Sequence, residues 1–227
     1  MASNEVGSSE KLITKSNPRS PIAEAYRQLR TNIQFSSLDR PIKTILITST
    51  HPEEGKSTIL ANLATTFAQN GSRTILVDCD LRRPSLHRIF GVRNGHGLTS
   101  VILDPGIKEF PYQDCGVPNL RLLCSGPLPP NPSELLGSRR MAEVIEQLKS
   151  EADYVLFDSP PVVVVTDAAV LASKVDGVML VIYAGRTRRE LAKKAKALLD
   201  KVNANILGVV LNNVKYDSSL HKYYAEQ

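Results

Sequence analysis

The segment ILITSTHPEEGKSTILANLA, residues 45–64, constrains this chain more than any other stretch. It runs from a continuous apolar, β-branched stretch through a short polar turn into good helix formers, so it reads as a buried strand, a loop and a helix. That is the setting a phosphate-holding loop requires, here at Thr50 to Thr58. Gly55 lets the backbone approach a phosphate, and the helix N-terminus behind it supplies about half a positive charge. Lys56 is placed to reach β- and γ-phosphates, Ser57 offers Mg²⁺ an oxygen, and Thr58 continues the helix. Glu54, Gly55, Lys56, Ser57 and Thr58 are therefore the candidate nucleotide-binding stretch, with ATP and Mg²⁺ as ligands. A serine-capped helix in a G-K-S turn is the plainer alternative. Two departures from G-x-x-x-x-G-K-[ST] stand out: Thr50 replaces the first glycine, and Glu53 and Glu54 lie in the loop. Bound Mg²⁺ would offset those acids, or their side chains point into solvent.

The remaining sequence repeats the same alternation. Strands are expected at Thr44–Thr48, Thr74–Asp78, Leu120–Cys124, Tyr154–Asp158, Gly177–Tyr183 and Ile206–Leu211. Helices are expected at Ala23–Phe35, Lys56–Gln69, about Ser133–Ser150, Asp167–Ser173 and Thr187–Val202, with Gly71 closing the second. Apolar runs without alternation indicate strands buried on both faces. The fold class is thus α/β, a mostly parallel sheet with helices on both faces, of the P-loop NTPase kind. At 227 residues the chain fits one compact domain, assigned to 21–214. Residues 1–20 are polar and aperiodic and read as a flexible arm, and 215–227 as a flexible tail.

No apolar run approaches the roughly 20 residues of a membrane helix, and the start lacks a signal-peptide pattern, so a cytoplasmic protein is expected. Cys79, Cys115 and Cys124 lack metal or disulfide spacing and are expected as reduced thiols. The net charge of +5 gathers at Arg82–Arg83, Arg139–Arg140 and Arg186–Lys201, the last mostly the solvated side of a helix.

In such sheets ligands sit at the carboxyl ends of strands, which directs attention to the acids there. TILVDCDLRR ends in Asp78 and Asp80, and YVLFDSPP in Asp158. Turn capping is their ordinary use. Beside a phosphate loop, Asp158 suits the coordination of Mg²⁺, directly or through water, and Asp80 points to the same side as Asp78 if the strand continues that far. Asp78 is placed to take a proton from an attacking hydroxyl, and Arg82 to pair with phosphate or an acid.

These motifs together resemble the bacterial tyrosine kinases of capsule and exopolysaccharide synthesis, in the cytoplasmic form found in Gram-positive bacteria. The resemblance spans nearly the whole chain: HPEEGKS, LVDCDLRRP and VLFDSPP correspond to its Walker A, A′ and B motifs, joined by SGPLPPNPSELL and EAYRQLRTN. It implies a kinase using ATP and Mg²⁺, with Lys56, Asp78, Asp80 and Arg82 catalytic, and Ser57, Asp80 and Asp158 at the metal. It implies a ring joined through Glu24, Arg27 and Arg30, an E-x-x-R-x-x-R element, and autophosphorylation between subunits on Tyr216, Tyr223 and Tyr224. Asn212, with Asn213 as second choice, is the implied adenine contact. A transmembrane activator protein is implied as well, recruiting the kinase to the inner face of the plasma membrane. Neither nucleic acid nor direct membrane insertion is expected. Glu53 departs from the family, whose members usually have glycine there.

Two rival readings share the phosphate loop. A positioning ATPase of the MinD/ParA kind usually has a lysine where this chain has His51, and ends in an amphipathic helix rather than a tyrosine tail. An ATP-dependent assembly factor without kinase activity would share every feature named so far.

Overall fold

The computed structural model describes residues 12–36 and 41–214. Chain order begins with α1 (Ile13–Ser16), α2 (Pro21–Ser36), β1 (Thr44–Ser49), α3 (Lys56–Gln69), β2 (Thr74–Asp78), α4 (Leu86–Phe90) and α5 (Leu98–Leu103). It continues through β3 (Gln113–Asp114), β4 (Leu120–Leu123), α6 (Pro132–Gly137), α7 (Arg139–Glu151) and β5 (Tyr154–Asp158). Last come α8 (Asp167–Ala172), β6 (Gly177–Tyr183), α9 (Arg189–Asp200) and β7 (Ile206–Asn212). The strands form one seven-stranded sheet in the order β3-β4-β2-β5-β1-β6-β7. Among the described residues only β3 runs antiparallel to its neighbour.

The alternation of side chains along each strand divides the core in two. Leu46, Val155, Phe157, Val178 and Leu180 face one side, where Val144, Leu148 and Leu199 cover them. Ile45, Ile47, Leu156, Met179 and Val181 face the other, against Leu60, Leu63 and Phe67 of α3. Both faces being covered explains why the central strands are apolar without a break. From Ile59 to Ala68 every residue of α3 is buried, so this helix has almost no solvated side. Its polar members are satisfied internally: the Thr65 hydroxyl donates to the Ala61 carbonyl at 2.8 Å and Thr66 to Leu63 at 2.7 Å.

Part of what covers α3 is the segment expected to be a mobile arm. Leu12 and Thr14 are buried, and the Thr14 backbone N–H and hydroxyl both donate to Asn62 Oδ1, at 3.1 and 2.9 Å. Gln69 returns a bond to the Thr14 carbonyl at 3.0 Å. A four-residue helix is too short to show a period, so the expectation fails for 12–16; residues 1–11 and the tail tyrosines Tyr216, Tyr223 and Tyr224 lie outside the described residues. The single helix expected over 133–150 is two helices, because Ser138 turns extended and its hydroxyl accepts from the Met141 N–H at 3.1 Å, capping α7. Short α4, α5 and β3 were not foreseen. Gly71 follows α3 with φ +89°, the left-handed turn expected of it.

Candidate active site

The loop after β1 lies where the strand order reverses, beside the carboxyl ends of β5 and β2. Two of its residues have left-handed backbone: Gly55 at φ +89°, at no cost, and Glu53 at φ +64°, where glycine is the favoured residue. A Cβ at Gly55 would come within 2.3 Å of Asn212 Nδ2, so a side chain there would displace the Asn212 amide as well as strain the backbone. That amide donates to the Glu54 carbonyl at 2.9 Å, and Asn212 Oδ1 accepts from the Asn213 N–H. Asn212, the implied adenine contact, is thus engaged in supporting the loop.

Neither account given for the loop acids fits Glu54. Its side chain is buried and turned into the loop, where it accepts from the Thr50 N–H and hydroxyl, both at 2.7 Å, and from the His51 N–H at 3.0 Å. The Thr187 hydroxyl, ahead of α9, donates to the same carboxylate. Glu54 therefore braces the loop from behind, and Thr50, standing where glycine is usual, supplies two of its partners. Glu53 points into solvent.

The expected aspartates converge. Asp78 and Asp158 are register partners at the ends of β2 and β5, and both are fully buried. Lys56 Nζ lies 2.9 Å from Asp80 Oδ2 and 3.7 Å from Asp158 Oδ1, while the Ser57 hydroxyl donates to Asp158 Oδ2 at 2.5 Å. Asp78 Oδ2 accepts the N–H groups of Ser85 and Leu86, each at 3.0 Å. Burial, and next the Asp158 charge, push the Asp78 pKa up to about 7, against the pull of those two N–H groups. Burial also raises Asp158, opposed by Lys56 and the Ser57 hydroxyl. Burial by itself lowers the Lys56 pKa, but Asp158 and Asp80 outweigh it and leave the ammonium more firmly charged. Three carboxylates around one ammonium leave surplus negative charge, which favours a cation or a retained proton.

Asp158 Oδ1 is buried and accepts no hydrogen bond among the described residues, and with Ser57 Oγ and Asp80 it offers the hard oxygen donors that Mg²⁺ prefers. Among the described residues no three acidic, His or Cys side chains form a metal cluster. A magnesium ion shared with nucleotide phosphates requires only one or two carboxylates, so this set fits it.

Arg82 stands apart from this group. Its guanidinium forms a two-pronged pair with buried Asp167 at 2.8 and 3.0 Å, so of its two expected partners it has the acid, while the Asp80 charge also acts on it. On α2, Glu24 pairs with Arg27 at 2.7 Å, and Arg27 also donates to the Pro18 carbonyl. Arg30 reaches back to the Thr66 carbonyl at 3.0 Å, so the E-x-x-R-x-x-R side chains do not all project from one free face. The sequence reading missed Ser85, Thr187 and the inward Glu54; no local pattern signals their contacts across the fold.

A family model described as the CobQ/CobB/MinD/ParA nucleotide binding domain matches residues 45–227. Tyrosine-protein kinase YwqD of Bacillus subtilis is 44% identical over 214 residues, 94% of this chain and 90% of that protein. The putative tyrosine-protein kinase CapB of Staphylococcus aureus is 41% identical, covering 95% of each chain. The crystal structure of the chimerical protein CapA2B2 superposes with TM-score 0.87 at 40% identity, over 91% of both chains. MinD of Pyrococcus horikoshii, complexed with Mg-ADP, reaches TM-score 0.63 at 23% identity, a likeness of fold alone. With a nucleotide-binding family model over most of its length and relatives this similar over nearly all of it, the chain belongs to the bacterial tyrosine-protein kinases, within the CobQ/CobB/MinD/ParA nucleotide-binding family.

Proposed function

We propose that this chain transfers the γ-phosphoryl group of ATP to protein tyrosine and regulates capsule or exopolysaccharide synthesis. The observation that carries the reading is buried Asp78, paired in register with Asp158 at the strand ends and held by the N–H groups of Ser85 and Leu86, with burial raising its pKa to about 7. Kinship to proteins named tyrosine-protein kinases supports the same chemistry. The tyrosine hydroxyl oxygen bonds to the γ-phosphorus as the bond to the β,γ-bridging oxygen breaks. The hydroxyl proton passes to Asp78, and the electron pair of the broken bond leaves with ADP. Lys56, now on Asp80 and Asp158, exchanges them for phosphate oxygens when nucleotide enters. Ser57, Asp158 and Asp80 would hold Mg²⁺, which would supply charge neutralisation for the transferring phosphoryl group. Thr58 and the backbone at Gly55 complete the phosphate contacts.

The proposal extends to Tyr216, Tyr223 and Tyr224 as acceptors between subunits, to a ring through Glu24, Arg27 and Arg30, and to a transmembrane activator at the inner face of the plasma membrane. His51 supports the kinase over a positioning ATPase, which usually has lysine there. Lys56→Met tests the reading: phosphotyrosine should vanish from chains incubated with MgATP while the fold persists, and persistent signal removes the assignment. Phenylalanine at the three tail tyrosines should abolish autophosphorylation, and an unchanged signal would exclude the tail as acceptor.

A further inference from the structure

The cavity in front of the loop, about 490 Å³, has a second wall that the phosphate-loop motif does not supply. Gly55, Lys56, Ser57 and Thr58 form one side, and Ser85 and Arg88, from the start of α4, form the other. Ser85 precedes α4 in the position of a cap, yet its hydroxyl makes no capping bond. Its Oγ is buried and has no hydrogen-bond partner among the described residues, although its own N–H is held by Asp78. A buried hydroxyl left unpaired is costly, and on the wall of a ligand cavity it gains a partner when the ligand arrives.

Arg88 stands one turn along, exposed, with one of its five N–H donors on the Pro84 carbonyl at 3.1 Å. Charge distribution gives it a task. Lys56 faces Asp80 and Asp158, and Glu53 adds a carboxylate at the rim, so the cavity is short of positive charge for a polyphosphate. A guanidinium matches phosphate oxygens in a planar, two-pronged geometry that an ammonium lacks.

We propose that Ser85 and Arg88 bind nucleotide phosphate oxygens from the side opposite the phosphate loop, forming the second half of the nucleotide clamp. Ser85 ties this wall to the chemistry, since its N–H and its hydroxyl link Asp78 to the bound phosphates. The proposal rests on the kinase reading only in assigning the cavity to nucleotide.

Binding of ADP and of the β,γ-imido analogue of ATP, each with Mg²⁺, to the parent and to R88Q, R88K and S85A tests it. Arg88 is exposed, so R88Q should keep the parent's melting temperature. Loss of a charged donor should weaken at least one of the two nucleotides by about tenfold or more in R88Q. S85A should lose roughly threefold, and R88K should fall between the parent and R88Q. R88Q binding both nucleotides within about twofold of the parent overturns the proposal. So does an unchanged nucleotide affinity with a raised KM for a tyrosine peptide, which moves Arg88 to the acceptor. A parent that binds both nucleotides but makes no phosphotyrosine sinks the kinase reading and leaves the Arg88 comparison standing.

Discussion

Glu53→Gly should make this protein more stable. Glu53 holds φ +64°, and a residue with a Cβ pays about 1–2 kcal/mol in that region. Glycine escapes that strain but surrenders more freedom on folding, worth roughly 0.5–1 kcal/mol in the other direction. The side chain is exposed and makes no hydrogen bond or ion pair among the described residues, so its removal loses no contact. The net gain is about 0.5–1 kcal/mol, which for a chain this size raises Tm by roughly 1–4 °C. Thermal unfolding of the parent, Glu53→Gly and Glu53→Ala separates the causes. Alanine keeps the left-handed strain while deleting the charge, so only glycine should stabilise. Equal stabilisation by alanine would refute the conformational explanation and make charge repulsion the cause.

The remaining expectations concern the site and its supports. Phosphoryl transfer should rise as pH increases through about 7, where Asp78 loses its proton, and a rate flat from pH 6 to 8 would exclude Asp78 as the base. Its effect on stability has the opposite sign. Because the folded pKa lies above the unfolded value, Asp78 contributes most below the ordinary carboxylate range, and the contribution is lost as pH rises through about 7. Asp78→Asn should therefore flatten that decline in urea titrations between pH 5 and 8. Leu12→Ala should cost about 2–3 kcal/mol and speed proteolysis ahead of α2, since Leu12 is buried against the α3 side of the core; an unaffected stability would mean the segment does not dock. Ser138→Ala removes the cap of α7 and should cost about 1 kcal/mol, whereas Ser138→Asp should recover most of it.

Much of this structure was legible because its signals are local. The apolar runs at β1, β2 and β5 are buried on both faces and match their expected bounds to within a residue, and the phosphate loop carries its own strand and helix. The aspartates were found from their places at strand ends. What escaped depends on partners far apart in the chain. Arg82 meets Asp167 across 85 residues, Thr14 meets Asn62 across 48, and Asn212 reaches Glu54 across 158. Those pairs decide whether Arg82 faces phosphate, whether the N-terminal segment docks, and whether Asn212 supports the loop. Glu54 was misread for a different reason: an acid in a phosphate loop suggests repulsion until the donors from Thr50, His51 and Thr187 are seen around it. Ser138 was readable in principle, since serine before a helical run is a capping signal, but the helix-forming residues on both sides of it obscured the break.

The most direct test measures phosphotyrosine formed from MgATP by the parent and by Asp78→Asn, alongside ADP affinity. If Asp78 accepts the tyrosine proton, the variant should bind ADP yet transfer phosphate about 10²–10⁴-fold more slowly. Equal rates in the two proteins would contradict the proposed chemistry.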